Sequence, residues 1–403
     1  MRRKIGRITN RERWYGSRRI WSLFGIGILL GATIVFVRLS LAEITASRNV
    51  TEQASLGASV NQAGLGQAGA ELDKAGAVPQ SNKSASASKT TAPVRGEAEV
   101  DINDEDSRAA KTSLDKLKVR VYLTKEKRIE EVFLEAYVQG VLAGEMPIDF
   151  ELEALKAQAI AARTYIIRRI VLKDRSGMET ELADVTDTIE HQVYIPRAKL
   201  DEEWTGRQGK ANRVKLERAV QETRGLVITY EGEPIQAVFF STSNGFTENS
   251  EDYWEQQLPY LRSVASPWDE GISPRYKATI KLTKREFYRK MGLSGKRATD
   301  MLTIKATKKT AGNRIDTVTI NGEDFSGREV RERLELASSE FSWTIQKDTV
   351  AITTFGFGHG VGMSQWGANG MAKESITAEA IVRYYYTGTK VEQVSKLPIP
   401  LDS

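Results

Sequence analysis

The chain has 403 residues, enough for one large domain or two smaller ones, with no cysteine and only two histidines, His191 and His359. Disulfides and thiolate zinc sites are therefore excluded, and a multi-histidine metal centre lacks ligands. The net charge of +5 is concentrated at one end: residues 1–19 carry eight Lys or Arg against one Glu, so the rest sums to about −2 and presents no basic patch suited to nucleic acid.

Ile20 to Val37 contains no charged residue. As a helix it would span roughly 27 Å, about the thickness of a bilayer core. The basic residues before it are expected to hold residues 1–19 in the cytoplasm, leaving the bulk of the chain outside the membrane. A signal peptide cleaved after Ser40-Leu41-Ala42 is the rival, but this apolar run is longer than the usual signal core. No aromatic residue occurs between Phe36 and Tyr122, and residues 43–112 are rich in Ala, Ser, Gly, Gln, Asn and Thr. Such a composition cannot offset its ordering entropy by burial, so this stretch reads as a flexible tether.

Globular patterning begins near Leu117, and a single folded domain is expected over residues 115–395. Lys118–Leu123 alternates as a strand, and Ile129–Glu145 shifts toward helical spacing. Glu151–Ile170 is the clearest helix, and a second is expected over Asn212–Thr223, ending before Gly225. Two strands follow around the turn Glu231-Gly232-Glu233-Pro234. Lys277–Leu282, Ile315–Ile320 and Thr349–Thr354 read as strands, Gly327–Leu336 as a short helix and Ala378–Tyr386 as the last one. Strands and helices do not alternate regularly, so the fold class is α+β.

Among candidate site residues, Glu145 stands out. It lies at the end of an apolar helical run and directly before Met146-Pro147, where the helix dipole disfavours a carboxylate. That position and its apolar neighbours both raise a carboxyl pKa, which suits a general acid. An ordinary surface carboxylate at a helix end is the alternative. Lys156 and Arg163 share a face of the next helix. Arg163, flanked by Ala and Ile, requires a carboxylate partner, and Glu145 is the nearest candidate. Ser241, Thr242, Ser243, Asn244 and Thr247 form a polar loop after a strand. Phe355–Ala372 is a glycine-dense loop around His359, Gln365 and Trp366, with no phosphate-loop order. A serine hydrolase using Ser241 or Ser364 with His359 has only weak support, because no G-x-S-x-G elbow is present.

Taken in order, "AYVQGVLAGEMPIDFELEALKAQAIAARTYI", "DVTDTIEHQVY", "AVFFSTSNGFTENSEDYW", "LPYLRSVASPWD" and "GFGHGVGMSQWGANGMA" resemble the stage II sporulation protein D family, including its amidase-enhancer relatives. The resemblance covers about residues 115–390. It implies a membrane-anchored lytic transglycosylase that cleaves peptidoglycan glycan strands during forespore engulfment, on the outer side of the mother cell's engulfing membrane. It also implies two partners, the stage II sporulation proteins P (an amidase) and M (a membrane protein).

By the same resemblance Glu145 is the catalytic acid, and Arg163 and Arg262 match positions linked to activity. In some relatives a cysteine stands in place of Thr186 and, with the histidine matching His191, holds zinc. One imidazole cannot make such a site, so no metal or cofactor is expected here. In the implied chemistry Glu145 protonates the glycosidic oxygen and then accepts the proton of the sugar's 6-hydroxyl, which attacks the anomeric carbon. A single carboxyl group then suffices, where hydrolytic glycosidases use two. Lys156, Tyr194, Ser241, Thr242, Ser243, Asn244, Arg262, His359, Gln365 and Trp366 are the candidate groove residues. The alternative function is a non-catalytic glycan-binding activator of an amidase.

Overall fold

The computed structural model describes residues 114, 116–178, 182–294 and 301–397. The expected cytoplasmic tail, membrane helix and tether lie outside them. Among the described residues no helix is long and apolar enough to cross a membrane.

The fold mixes helices and strands around two hydrophobic cores. It opens with an antiparallel hairpin, β1 (Lys118–Leu123) and β2 (Arg128–Phe133), whose alternating burial on β1 matches the sequence pattern. Helix α1 (Leu134–Glu145) follows directly. It stops because Pro147 disfavours helical backbone at the residue before it, and Met146 is accordingly extended (φ −129°, ψ 133°). Helix α2 (Leu152–Leu172) is buried around most of its circumference, as its Ala- and Ile-rich sequence demands. Leu155, Ile160, Ile166 and Ile167 are fully buried there, each worth about 1.5–3 kcal/mol of apolar burial.

β3 (Val185–Thr186) adds in parallel to β1. Then come α3 (Arg197–Glu203) and α4 (Gly206–Gln221), the latter starting six residues before the expected Asn212. β4 (Leu226–Tyr230) pairs with the short β5 (Glu233–Pro234) across the expected turn. The second strand expected there does not continue; β6 (Phe239–Phe240) pairs elsewhere. After β7 (Gly245–Phe246), β8 (Ala265–Ser266) and α5 (Asp269–Ile272), the chain leaves the first core.

A second lobe occupies about residues 277–355. Its strands form two three-stranded sheets. They comprise β9 (Lys277–Thr283), β10 (Ile304–Lys309), β11 (Ile315–Ile320), β12 (Glu323–Ser326), β13 (Phe341–Ile345) and β14 (Thr349–Phe355). Helices α6 (Lys284–Met291) and α7 (Gly327–Leu334) complete a core around Phe287, Val318, Phe325 and Val350. Arg314 of this lobe meets Glu248 of the first at 3.2 Å, both buried. The chain then returns through β15 (Met363–Ser364), parallel to β6, into α8 (Gln365–Lys373), α9 (Ala378–Tyr385) and β16 (Lys390–Gln393), which pairs with β4.

Candidate active site

Glu145 is the last residue of α1, partly buried, and its Oε1 accepts the Val193 backbone N–H at 2.6 Å. Burial raises its carboxyl pKa from 4.5 to about 7, although the Val193 hydrogen bond pulls the other way. No basic side chain forms an ion pair with it among the described residues. The side chain is thus a carboxyl group free to hold or release a proton near neutral pH.

The segment that supplies Val193 crosses α1 over two glycines one helical turn apart. At Gly144 a Cβ would stand 2.6 Å from the Val193 carbonyl, and at Gly140 it would collide with the Tyr194 ring. Ile195 N–H also bonds the Gly140 carbonyl at 3.1 Å. The crossing segment is locked further by Tyr137, whose hydroxyl donates to Gln192 Oε1 at 3.0 Å and whose ring stacks on Tyr194. Tyr194 in turn donates to Glu130 at 3.1 Å.

The other wall comes from the far end of the sequence. The loop before α8 has Gly356, Gly358, Gly360 and Gly362 all at positive φ, a conformation that glycine adopts without strain. Ser364 caps α8 by accepting the Gly367 N–H at 3.2 Å, and its own hydroxyl donates to the buried Asp269. Asp269 also accepts the Ser243 N–H and the Ser266 hydroxyl. This anchored helix start points the Gln365 amide at the backbone carbonyl of Glu145, 3.0 Å away, satisfying an orphan carbonyl at the end of α1. Trp366 packs edge-on against Phe150 with centroids 4.6 Å apart, and its backbone N–H donates to the Ser241 carbonyl. Of the expected loop over Phe355–Ala372, only residues 356–362 are loop; Met363 and Ser364 form β15, and Gln365 and Trp366 lie on α8.

The remaining expected site residues are placed as follows. Arg163 does not meet Glu145. Fully buried, it binds Glu135 at 2.6 and 2.9 Å and the Leu226 carbonyl at 3.1 Å. Glu135 wins because it lies in the first turn of α1, while Glu145 is nearly three turns further along. Lys156 bridges Glu153 and Glu222. Thr242 and Ser243 are buried and bonded internally, to the Ser273 hydroxyl and the Ser266 carbonyl. Asn244 donates to the Gly312 carbonyl. Arg262 forms a two-pronged pair with Glu251 at 2.5 and 2.7 Å. His359 sits among Phe240, Tyr253 and Trp254, where burial pushes its pKa down to about 3. The Thr186 hydroxyl is hydrogen-bonded to His191 Nδ1 at 2.9 Å. A threonine hydroxyl and one imidazole do not fit zinc.

The family model for the stage II sporulation protein matches residues 122–230. The stage II sporulation protein D of Bacillus subtilis is 48% identical over 278 residues, covering 68% of this chain and 79% of that protein. Its Bacillus amyloliquefaciens counterpart is 46% identical over 278 residues, covering 68% and 78%. This chain belongs to the stage II sporulation protein D family. A more distant similarity, 27% over 307 residues, is to the amidase enhancer of B. subtilis, covering 62% of this chain and 40% of that protein. The family model begins within β1 and ends with β4, so it includes Glu145, Arg163, His191 and Val193 but not α8.

Val193 and Asp269 are residues that the sequence did not single out. Val193 acts through its backbone, which carries no sequence signal. Asp269 opens the short helix α5, and its partners Ser243, Ser266 and Ser364 come from three separate segments.

Proposed function

We propose that this protein is a membrane-anchored lytic transglycosylase that cleaves peptidoglycan glycan strands during sporulation, leaving 1,6-anhydromuramoyl ends. The observation that carries the reading is Glu145: a carboxyl group with no ion-pair partner among the described residues, its pKa raised to about 7 by burial. Such a group is protonated often enough to donate to a leaving glycosidic oxygen, and basic enough afterwards to accept a proton from the 6-hydroxyl. The bond from anomeric carbon to leaving oxygen breaks as the bond to O6 forms, so atoms and charge balance without a water nucleophile. Val193 N–H stabilises the carboxylate form, and Gln365 holds the helix end that carries it. No step passes through a metal.

The charge asymmetry about residues 20–37 supports an orientation with residues 1–19 in the cytoplasm and the folded part outside, on the mother cell's engulfing membrane. On this reading the partners are the stage II sporulation amidase and its membrane partner. Similarity to a protein named for amidase enhancement favours a second reading, a glycan-binding activator that makes no cut. Digestion of purified peptidoglycan, read by mass spectrometry, separates the two. Anhydro-muramoyl ends support the first reading, whereas binding without new ends supports the second.

A further inference from the structure

An open groove of about 480 Å³ on the described surface lies apart from Glu145. It runs between the start of α2 and α4, with Leu152, Ala211 and Val214 as its apolar floor and Lys210, Lys215 and Arg218 around it. Val214 is 64% exposed, unusual for a valine in the middle of a helix. Helix α4 carries five Lys or Arg against one Glu. Arg213 and Arg218 are engaged by Asp201 and Glu222, but no carboxylate pairs with Arg207, Lys210 or Lys215 among the described residues. An exposed apolar strip rimmed by unpaired cations calls for an anionic occupant with apolar side chains.

The chain itself contains one. Glu97–Asp106 reads EAEVDINDED, with six carboxylates and no basic residue. Its first half alternates, so in extended form Ala98, Val100 and Ile102 share one side while Glu97, Glu99 and Asp101 share the other. Position agrees with charge. Leu114, the first described residue, lies against Gly225, four residues beyond the end of α4. Val214 is about 10 Å along α4 from Gln221. The twelve residues from Ile102 to Leu114 reach up to about 40 Å, more than the path requires.

We propose that residues 97–106 dock in the groove between α2 and α4, with Val100 and Ile102 on the Leu152–Val214 floor and the segment's carboxylates met by the long side chains of Lys210 and Lys215 reaching up from its rim. Docking covers the exposed valine and shortens the segment joining the folded part to residues 1–96. It is an electrostatic latch, weakened by salt.

Because the chain has no cysteine, placed thiols report this contact cleanly. The full chain carrying Ile102→Cys with Val214→Cys is oxidised in detergent and compared with Ile102→Cys with Ile189→Cys, since Ile189 is more exposed still. Docking raises the local thiol concentration, so the first pair should close an intramolecular disulfide at least about tenfold faster than the second. Lys210→Glu with Lys215→Glu, or 1 M salt, should remove that advantage. Equal rates for the two pairs would overturn the proposal. Disulfides between chains would assign the groove to a second copy instead. Failure to close, together with pelleting on anionic phospholipid vesicles that depends on Lys210 and Lys215, would assign it to a membrane surface; each of these results rejects the intramolecular latch.

Discussion

Glu145 Oε1 and the Val193 backbone N–H lie 2.6 Å apart, although 48 residues separate them in sequence. The contact exists because Gly140 and Gly144 leave α1 without side chains on the face that the Val193–Ile195 segment crosses. A carboxyl group otherwise desolvated at a helix end thereby keeps one donor for its ionised form.

Glu145→Gln keeps the shape of the side chain but removes its transferable proton. Release of anhydro ends should fall by about 10²–10⁴-fold, with the glycan still bound. Glu151→Gln should leave the rate near that of the unaltered protein. Glu153→Gln should too, at a stability cost of about 1 kcal/mol from its contacts with Lys156 and the Ala378 N–H. The check is anhydro-end release alongside a thermal melt. A folded Glu145→Gln protein that cleaves at full rate would transfer the role to another group.

The pH–rate profile should lose activity as pH rises through about 7, where Glu145 deprotonates. His359 is held near 3 by burial and His191 is also lowered, so neither accounts for that limb. Stability should follow the same group. Between about pH 4.5 and 7 the native state keeps a proton that the unfolded chain has lost, so stability falls as pH rises through this window, by at most about 3 kcal/mol. Glu145→Gln abolishes that fall, and melts of both proteins at pH 5 and pH 8 provide the comparison.

Glu135→Ala leaves the fully buried Arg163 guanidinium without its carboxylate, at a cost of about 3–5 kcal/mol, whereas Arg163→Ala leaves the partly exposed Glu135 without its cation and should cost less. Where each single variant still folds, the double variant should recover part of the loss. Chemical denaturation of the three proteins measures the coupling. If Glu135→Ala is harmless while Arg163→Ala abolishes cleavage in a folded protein, Arg163 has a direct chemical role.

Gly144→Ala places a methyl group 2.6 Å from the Val193 carbonyl, a clash with backbone. The crossing segment must shift, so the Val193–Glu145 hydrogen bond should lengthen and the Glu145 pKa should rise further. Carboxyl carbon NMR of Glu145 in the variant reads this directly; an unchanged titration would show that the segment does not hold the carboxylate.

Chelators should leave the melting temperature and cleavage unchanged, because Thr186 and His191 are hydrogen-bonded to each other and make no zinc ligand set. Stoichiometric zinc lost together with activity on chelation would contradict this.

Local pattern determined much of this protein. The alternation of β1, the Ala- and Ile-rich run of α2, the break at Met146-Pro147 and the strand Ile315–Ile320 are properties of neighbouring residues, and each was readable from the sequence alone. So was the peculiarity of Glu145, since a carboxylate at an apolar helix end conflicts with local preference. Helix α8 was not readable, because Gly367 and Gly370 disfavour helix. They are tolerated because the Tyr385 hydroxyl, Asp269 and the Trp268 side chain occupy the space their side chains would fill. Nor could sequence choose between Glu135 and Glu145 for Arg163. Both lie on α1, and only the packing of α1 across α2 brings one carboxylate within reach of a buried guanidinium and leaves the other without a cation among the described residues.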